Sequence, residues 1–237
     1  MNESMKLQPR RALRAVAALS RNPDDTAQVF TIIESLTGRA GLRIARRFAK
    51  DSSGAHLLHG KKSILPTLLD RERLKQYGPG TLAAAYLEFI TSEKIGADGL
   101  VEASREGEAR NEPLSSDRQY VHERLRDTHD LWHALLGYRG DVLGEAAILA
   151  FTLAQTGNPG IALIVAVFLW KAQRSEARQL IIDAFHRGLE AAWLPAQDWE
   201  ALLPLPIDEV RSRLRVGTPP EYTPVRTADL RAQGMAA

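Results

Sequence analysis

Apolar residues recur at spacings of three and four along most of this chain, and β-branched residues rarely alternate with polar ones. That rhythm restricts the fold to packed helices. Asn22-Pro23-Asp24-Asp25 opens a helix through Val29, Phe30, Ile33 and Leu36, with Gly38 as its stop. Leu42 to Lys50 forms a short basic helix, and Leu57-Leu58 and Leu65 to Leu74 form two more short ones. Thr81 follows the turn Tyr77-Gly78-Pro79-Gly80 and caps a helix carrying Leu82, Tyr86, Phe89 and Ile90. Asp98–Glu112 is polar and contains glycine, so it is read as a loop. Ser115 or Ser116 starts a long helix through Tyr120, Val121, Leu125, Leu131 and Trp132. The patterns Asp141–Gln155, Gly160–Ser175, Glu176–Trp193 and Ile207–Val216 follow, and Pro219-Pro220 begins a loose tail. The reading is one all-α domain over 1–237, a single helical bundle with a core at about 10–215 and a loose tail over 216–237.

The longest apolar run, Ile161 to Trp170, ends at Lys171. It is about half of the roughly 20 residues that a membrane span needs. Gln155-Thr156-Gly157-Asn158-Pro159-Gly160 separates it from the apolar stretch before it. Both stretches read as buried helices. The basic N-terminus (Lys6, Arg10, Arg11, Arg14) continues through Leu13, Val16, Ala17 and Leu19 as an amphipathic helix, which is preferred to a transit peptide. The net charge of +2 argues against a dedicated nucleic-acid binder. The chain has no cysteine, which excludes disulfides, thiolate zinc sites, iron–sulfur clusters and a thiol nucleophile. Any metal site must be built from nitrogen and oxygen.

One stretch supplies such ligands: His129-Asp130-Leu131-Trp132-His133, then Glu145. Residues four apart share a helix face, so both imidazoles reach one cation. Asp130 lies about 100° around the helix, placed to ligate from the side, to act through water or to hold a ligand. On one continuous helix Glu145 would stand roughly 18 Å beyond His133. The chain must therefore reverse, with Gly137 or Gly140 as the stop and Asp141 as the next N-cap. The donor set suits zinc, iron(II) or manganese with an open position. The pattern lacks the carboxylate between the histidines that a zincin peptidase requires.

Three other features carry a bland and a functional reading. His122 is seven residues before His129; it reads first as a partly exposed helix residue and second as a further site residue. Thr37–Lys50 holds Arg39, Arg43, Arg46, Arg47 and Lys50 without an acid. It is either a solvated face, with Leu42, Ala45 and Phe48 packing inward, or a surface for anionic lipid or a substrate carboxylate. Phe151, Leu153, Ile161–Trp170 and Ile181–Phe185 make nearly continuous apolar surface, mostly core, with a tunnel for a long apolar ligand as the alternative.

The run His129-Asp130-Leu131-Trp132-His133, eleven residues, then Glu145 resembles the HDxxH–x11–E hallmark of the Coq-four family of ubiquinone biosynthesis proteins. Asn22-Pro23, Thr37-Gly38, Gly80-Thr81…Tyr86…Phe89, Leu143-Gly144-Glu145 and Gln155-Thr156-Gly157-Asn158-Pro159 resemble family landmarks in the right order, over about 10–215. The loop Asp98–Glu112 and the tail after Val216 have no counterpart. The resemblance, to a bacterial member, implies an all-helical fold and a divalent metal, usually zinc, held by His129, Asp130, His133 and Glu145. It also implies an apolar channel for a polyprenyl tail. The implied activity is C1 decarboxylation of a polyprenylated 4-hydroxybenzoate-type ring, coupled or not to C1 hydroxylation. Asp130 and Glu145 are the candidate catalytic groups, exchanging a proton at the ring. The alternative is a non-catalytic lipid-binding scaffold with a structural metal. The implied partners are the polyprenyl quinone precursor, other enzymes of the pathway and the inner-membrane surface, reached from the cytoplasm or the mitochondrial matrix; a homodimer also fits. A helical His–Asp phosphohydrolase is a third reading, short of ligands because only His56, His59, His122 and His186 remain.

Overall fold

The computed structural model describes residues 6–22, 25–93, 114–172 and 174–226. Among these residues the regular structure is helical, and the only β feature is an isolated bridge between Thr81 and Pro206. The fold is all-α, as the periodicity requires. The loop expected at 98–112 lies outside the described residues.

Helix α1 (Pro9–Arg21) packs on α2 (Thr26–Lys50) through Ala12 and Ala15, while Leu13 faces solvent. Gly38 does not end α2. It takes φ 43° and ψ −125°, a conformation only glycine adopts easily, and kinks the helix while the chain continues to Lys50. The short helices α3 (Ser52–Gly60), α4 (Leu65–Leu69) and α5 (Arg71–Lys75) follow. Helix α6 (Leu82–Ser92) starts at Thr81, whose hydroxyl accepts from the Ala84 N–H at 3.2 Å.

The long helix expected from Ser115 to Trp132 is two helices, α7 (Ser116–Asp127) and α8 (His129–Leu136). The break falls at Thr128, whose hydroxyl donates to the Arg124 carbonyl at 2.8 Å. Such back-bonding bends helices. The chain then reverses into α9 (Val142–Thr156), followed by α10 (Pro159–Lys171) and α11 (Ser175–Glu190). A 3-10 turn (Leu194–Ala196), α12 (Trp199–Leu202) and α13 (Ile207–Leu214) complete the order. The turn and α12 were not visible as periodicity because each is only one turn long.

The core is contributed by Leu82, Tyr86 and Ile90 of α6, Leu131 and Leu135 of α8, Ala147 to Phe151 of α9, and Ile181 and Ala184 of α11. A smaller cluster joins Ile44 and Phe48 of α2 to Tyr120 of α7 and Trp193. Helix α10 is apolar on all sides yet is not covered on all sides. Ile161, Ile164 and Val165 are buried, whereas Trp170 is 79% exposed. No described helix is long and apolar enough to cross a membrane.

The segment after Val216 is not loose over its described part. The Val225 N–H donates to Asp141 at 2.7 Å, and the Val142 N–H donates to the Val225 carbonyl at 3.0 Å. Residues 219–226 thus lie as a strap across the turn that joins α8 to α9. The residues from 227 onward are outside the described set.

Candidate metal centre

The centre is assembled by one helical reversal. Gly137 ends α8 in the left-handed region at φ 78°, its N–H donating to the His133 carbonyl. Asp141 then caps α9 through the Leu143 N–H at 3.1 Å. Both roles match the sequence reading, with Gly137 rather than Gly140 as the stop. Glu145 falls in the first turn of α9, where the helix dipole favours a carboxylate. Gly144 is required beside it, because a Cβ there would collide with the Arg139 carbonyl oxygen and with the Tyr222 hydroxyl.

The reversal brings Glu145 back to both histidines. His133 Nε2 stands 3.2 Å from His129 Nε2 and 3.3 Å from Glu145 Oε1, and His129 Nε2 stands 3.5 Å from Glu145 Oε2. One donor atom from each residue can be chosen so that all three lie within 4.8 Å. Nitrogen and oxygen ligands held about 2.0–2.2 Å from a tetrahedral ion are about 3.3–3.6 Å apart. The closest approaches, which use a different oxygen of Glu145 for each histidine, are near that spacing, so the three residues can gather round a small divalent cation.

His133 is buried, and its Nδ1 lies 3.0 Å from the Tyr138 carbonyl oxygen. In the neutral ring Nδ1 must then carry the proton, which leaves the Nε2 lone pair aimed at the site. Phe89 stacks on the ring at 4.9 Å and 14°. Burial works against the charged form of His133, but the Glu145 carboxylate outweighs it and raises the imidazole pKa. Glu145 is half-exposed, and His133 and His129 hold its carboxyl well below the usual carboxylate range.

Asp130 stays outside the trio. It is buried at 5% exposure, and that burial raises its pKa against the pull of His129 and His133. One residue of helical rotation, about 100°, separates its direction from that of His129. His122 is 3.3 Å from Glu34 and does not join the centre. Among the described residues the trio is the one group of histidine and carboxylate ligands that could hold a metal, so the further ligands of a His–Asp phosphohydrolase are not assembled. In the basic run of α2, Arg43 donates to the Gly157 carbonyl at 3.2 Å and Arg47 lies over the Trp193 ring at 4.3 Å. Two of its cations therefore serve the fold. Ile44 and Phe48 pack inward, with Leu42 and Ala45 half-buried.

The family model described as "Coenzyme Q (ubiquinone) biosynthesis protein Coq4" matches residues 8–220, most of the chain and the whole centre. The chain belongs to the Coq4 family. Mitochondrial ubiquinone biosynthesis protein COQ4 of Phaeosphaeria nodorum is 29% identical over 194 residues, 81% of this chain and 64% of its own length. The Danio rerio COQ4 homolog is 29% identical over 209 residues, 86% of this chain and 74% of its own. This Coq4 chain thus spans about two thirds of the fungal relative. A crystal structure from Nostoc punctiforme, described only provisionally as a ubiquinone biosynthesis protein, has the same fold. It superposes with a TM-score of 0.66 over 90% of this chain and 100% of its own, at 22% identity.

Several parts of the centre are not legible as sequence. Tyr222 is one: its hydroxyl donates to Asp141 Oδ1 at 2.9 Å and accepts from the Arg139 N–H at 2.8 Å. A lone tyrosine after Pro219-Pro220 carries no periodic signal. The Tyr138 carbonyl is another, since its role comes from the backbone. Phe89 carries in the sequence only the signal of a core residue of its helix.

Proposed function

We infer that this Coq4-family chain is a metal-dependent decarboxylase of ubiquinone biosynthesis, removing the C1 carboxylate of a polyprenylated 4-hydroxybenzoate-type ring. The observation that carries this reading is the convergence of His129, His133 and Glu145, one donor atom from each lying within 4.8 Å of the others. Three protein ligands leave a fourth position open, the pattern of catalytic rather than structural zinc sites. When bound, a zinc ion would supply Lewis acidity toward the substrate carboxylate or phenolate oxygen. Two imidazoles and one carboxylate would leave that ion a net positive charge, suited to an anionic head group.

The chain's own residues do the rest. His129, His133 and Glu145 fix the head group's position. Asp130, buried next to the trio, is the group assigned to deliver a proton to C1 as the carbon–carboxyl bond breaks, so that an aryl carboxylate and a proton become the arene and carbon dioxide. The core helices around α9 and α10 are the side from which an apolar tail is expected to approach. Peripheral contact with a membrane and with other pathway proteins belongs to the same proposal.

The test is release of labelled carbon dioxide. Zinc-loaded protein is incubated with a prenylated 4-hydroxybenzoate carrying a labelled carboxylate. Release that disappears in Glu145→Gln, with helical circular dichroism unchanged, is the expected result. No release from protein with full metal occupancy overturns the enzyme reading in favour of a scaffold with a structural metal.

A further inference from the structure

His133 is held from behind by a backbone carbonyl, and that carbonyl is itself held. The residue that contributes it, Tyr138, is buried, and its hydroxyl accepts from Arg187 Nη1 at 2.6 Å. The same guanidinium donates through Nε to the Val216 carbonyl at 3.0 Å and through Nη2 to the Leu136 carbonyl at 3.3 Å. Its carbon lies 5.2 Å from the Tyr138 ring centroid. Two donors of one planar group therefore grip the C-terminal end of α8 and the residue just beyond its stop, while the third ties the same group to the chain after α13 at Val216. Leu136 is the last residue of α8, so its carbonyl has no partner within the helix, and a cation there also suits the helix dipole.

We propose that Arg187 is a positioning residue of the metal centre, acting through Tyr138 on the His133 imidazole. The inference rests on the reading that His129, His133 and Glu145 hold a divalent ion. Its physical content is a chain of two contacts. Arg187 fixes where the Tyr138 side chain and the α8 terminus sit. The Tyr138 carbonyl then fixes the protonated nitrogen and the plane of His133, leaving Nε2 to ligate. Groups that orient a metal-bound histidine in this way affect metal affinity by about 10–100-fold. Arg187 stands 54 residues after His133, on another helix, and no sequence motif joins them.

Two variants and one control test this. Arg187→Lys keeps the positive charge but cannot reach three acceptors in the geometry of a planar fork. Tyr138→Phe removes only the hydroxyl and keeps the ring and the carbonyl. Zinc affinity is measured on the full chain by competition with a chromophoric chelator, and the site is read independently from the visible spectrum of Co²⁺-loaded protein. Arg187→Lys should weaken zinc about 10-fold or more and shift the cobalt bands, with a smaller change of the same kind in Tyr138→Phe. Melting of the metal-free protein separates the alternatives. A lower Tm with unchanged zinc affinity and cobalt spectrum in both variants overturns the proposal and leaves Arg187 a purely structural residue. If Arg187→Lys does not fold, Tyr138→Phe decides alone, and wild-type affinity and spectrum in it overturn the proposal. His133→Ala is the control: if it keeps its metal, the site reading itself fails; if it loses the metal while the other two retain theirs, only the positioning role fails.

Discussion

His133 shows how much of the centre one side chain must satisfy. One ring nitrogen bonds a carbonyl, the other faces two ligands, and Phe89 covers a face. His133→Ala should therefore abolish metal binding while leaving helical circular dichroism within a few per cent of wild type, checked by elemental analysis of the purified protein. Acid should act the same way. Glu145 raises the His133 pKa above its ordinary 6.5, so protons compete with metal for the imidazole, and occupancy should fall as pH drops toward and below about 6. Gly144 is constrained sterically rather than chemically. Gly144→Ala puts a methyl against the Arg139 backbone and Tyr222, so it should cost about 1–3 kcal/mol in denaturant unfolding. It should also displace Glu145 one residue away, which weaker zinc binding would report.

Among the elements, α7 and α12 are joined by a buried ion pair. Arg124, 2% exposed at its side chain, donates to both oxygens of Glu200 at 3.2 and 2.7 Å and to the Gln197 carbonyl at 3.1 Å. Burial opposes the Glu200 charge, but Arg124 outweighs it and holds the carboxyl below its ordinary 4.5. A depressed carboxylate pKa stabilises the fold above the unfolded value, and that stabilisation is lost as pH falls through the folded one. Glu200→Ala leaves a buried guanidinium without its counter-charge, so about 3 kcal/mol should be lost at pH 7. The difference in Tm from wild type should shrink toward pH 3. Element by element, the sequence reading was correct where a helix is long and periodic. It gives the N-caps at Thr81 and Asp141 and a stop at Gly137 or Gly140, of which the structure uses Gly137, because those choices are made by local chemistry. It ran α7 into α8, because nothing in Thr128 distinguishes a helix-bending hydroxyl from an ordinary helical threonine. It ended α2 at Gly38, because a glycine that kinks and one that terminates look alike. The trio could be read from spacing once the reversal was inferred. The sideways placement of Asp130 was equally legible, since it follows from about 100° of helical rotation; its burial was not, because that is set by the helices packed around it.

At the scale of the whole molecule, the C-terminal strap couples the end of the chain to the turn that builds the centre. Tyr222→Phe removes a hydroxyl that bonds a buried carboxylate and a backbone N–H. It should lower stability by about 1–2 kcal/mol. Amide exchange at Arg139 should accelerate while exchange in α9 beyond Glu145 stays slow. This coupling also sets an order of events during synthesis. Two of the three partners of the Asp141 carboxylate lie far downstream, Tyr222 by 81 residues and Val225 by 84, while the third, the Leu143 N–H, is local. At about 5–20 residues per second, the ribosome needs roughly 4–17 s to make that stretch. Tyr222 and Val225 can reach Asp141 only after that stretch is made, whereas the Gly137 stop and the Asp141 cap that bring His129, His133 and Glu145 together need no downstream residue. The strap is therefore a late addition to a turn whose stop and cap are set by neighbouring residues.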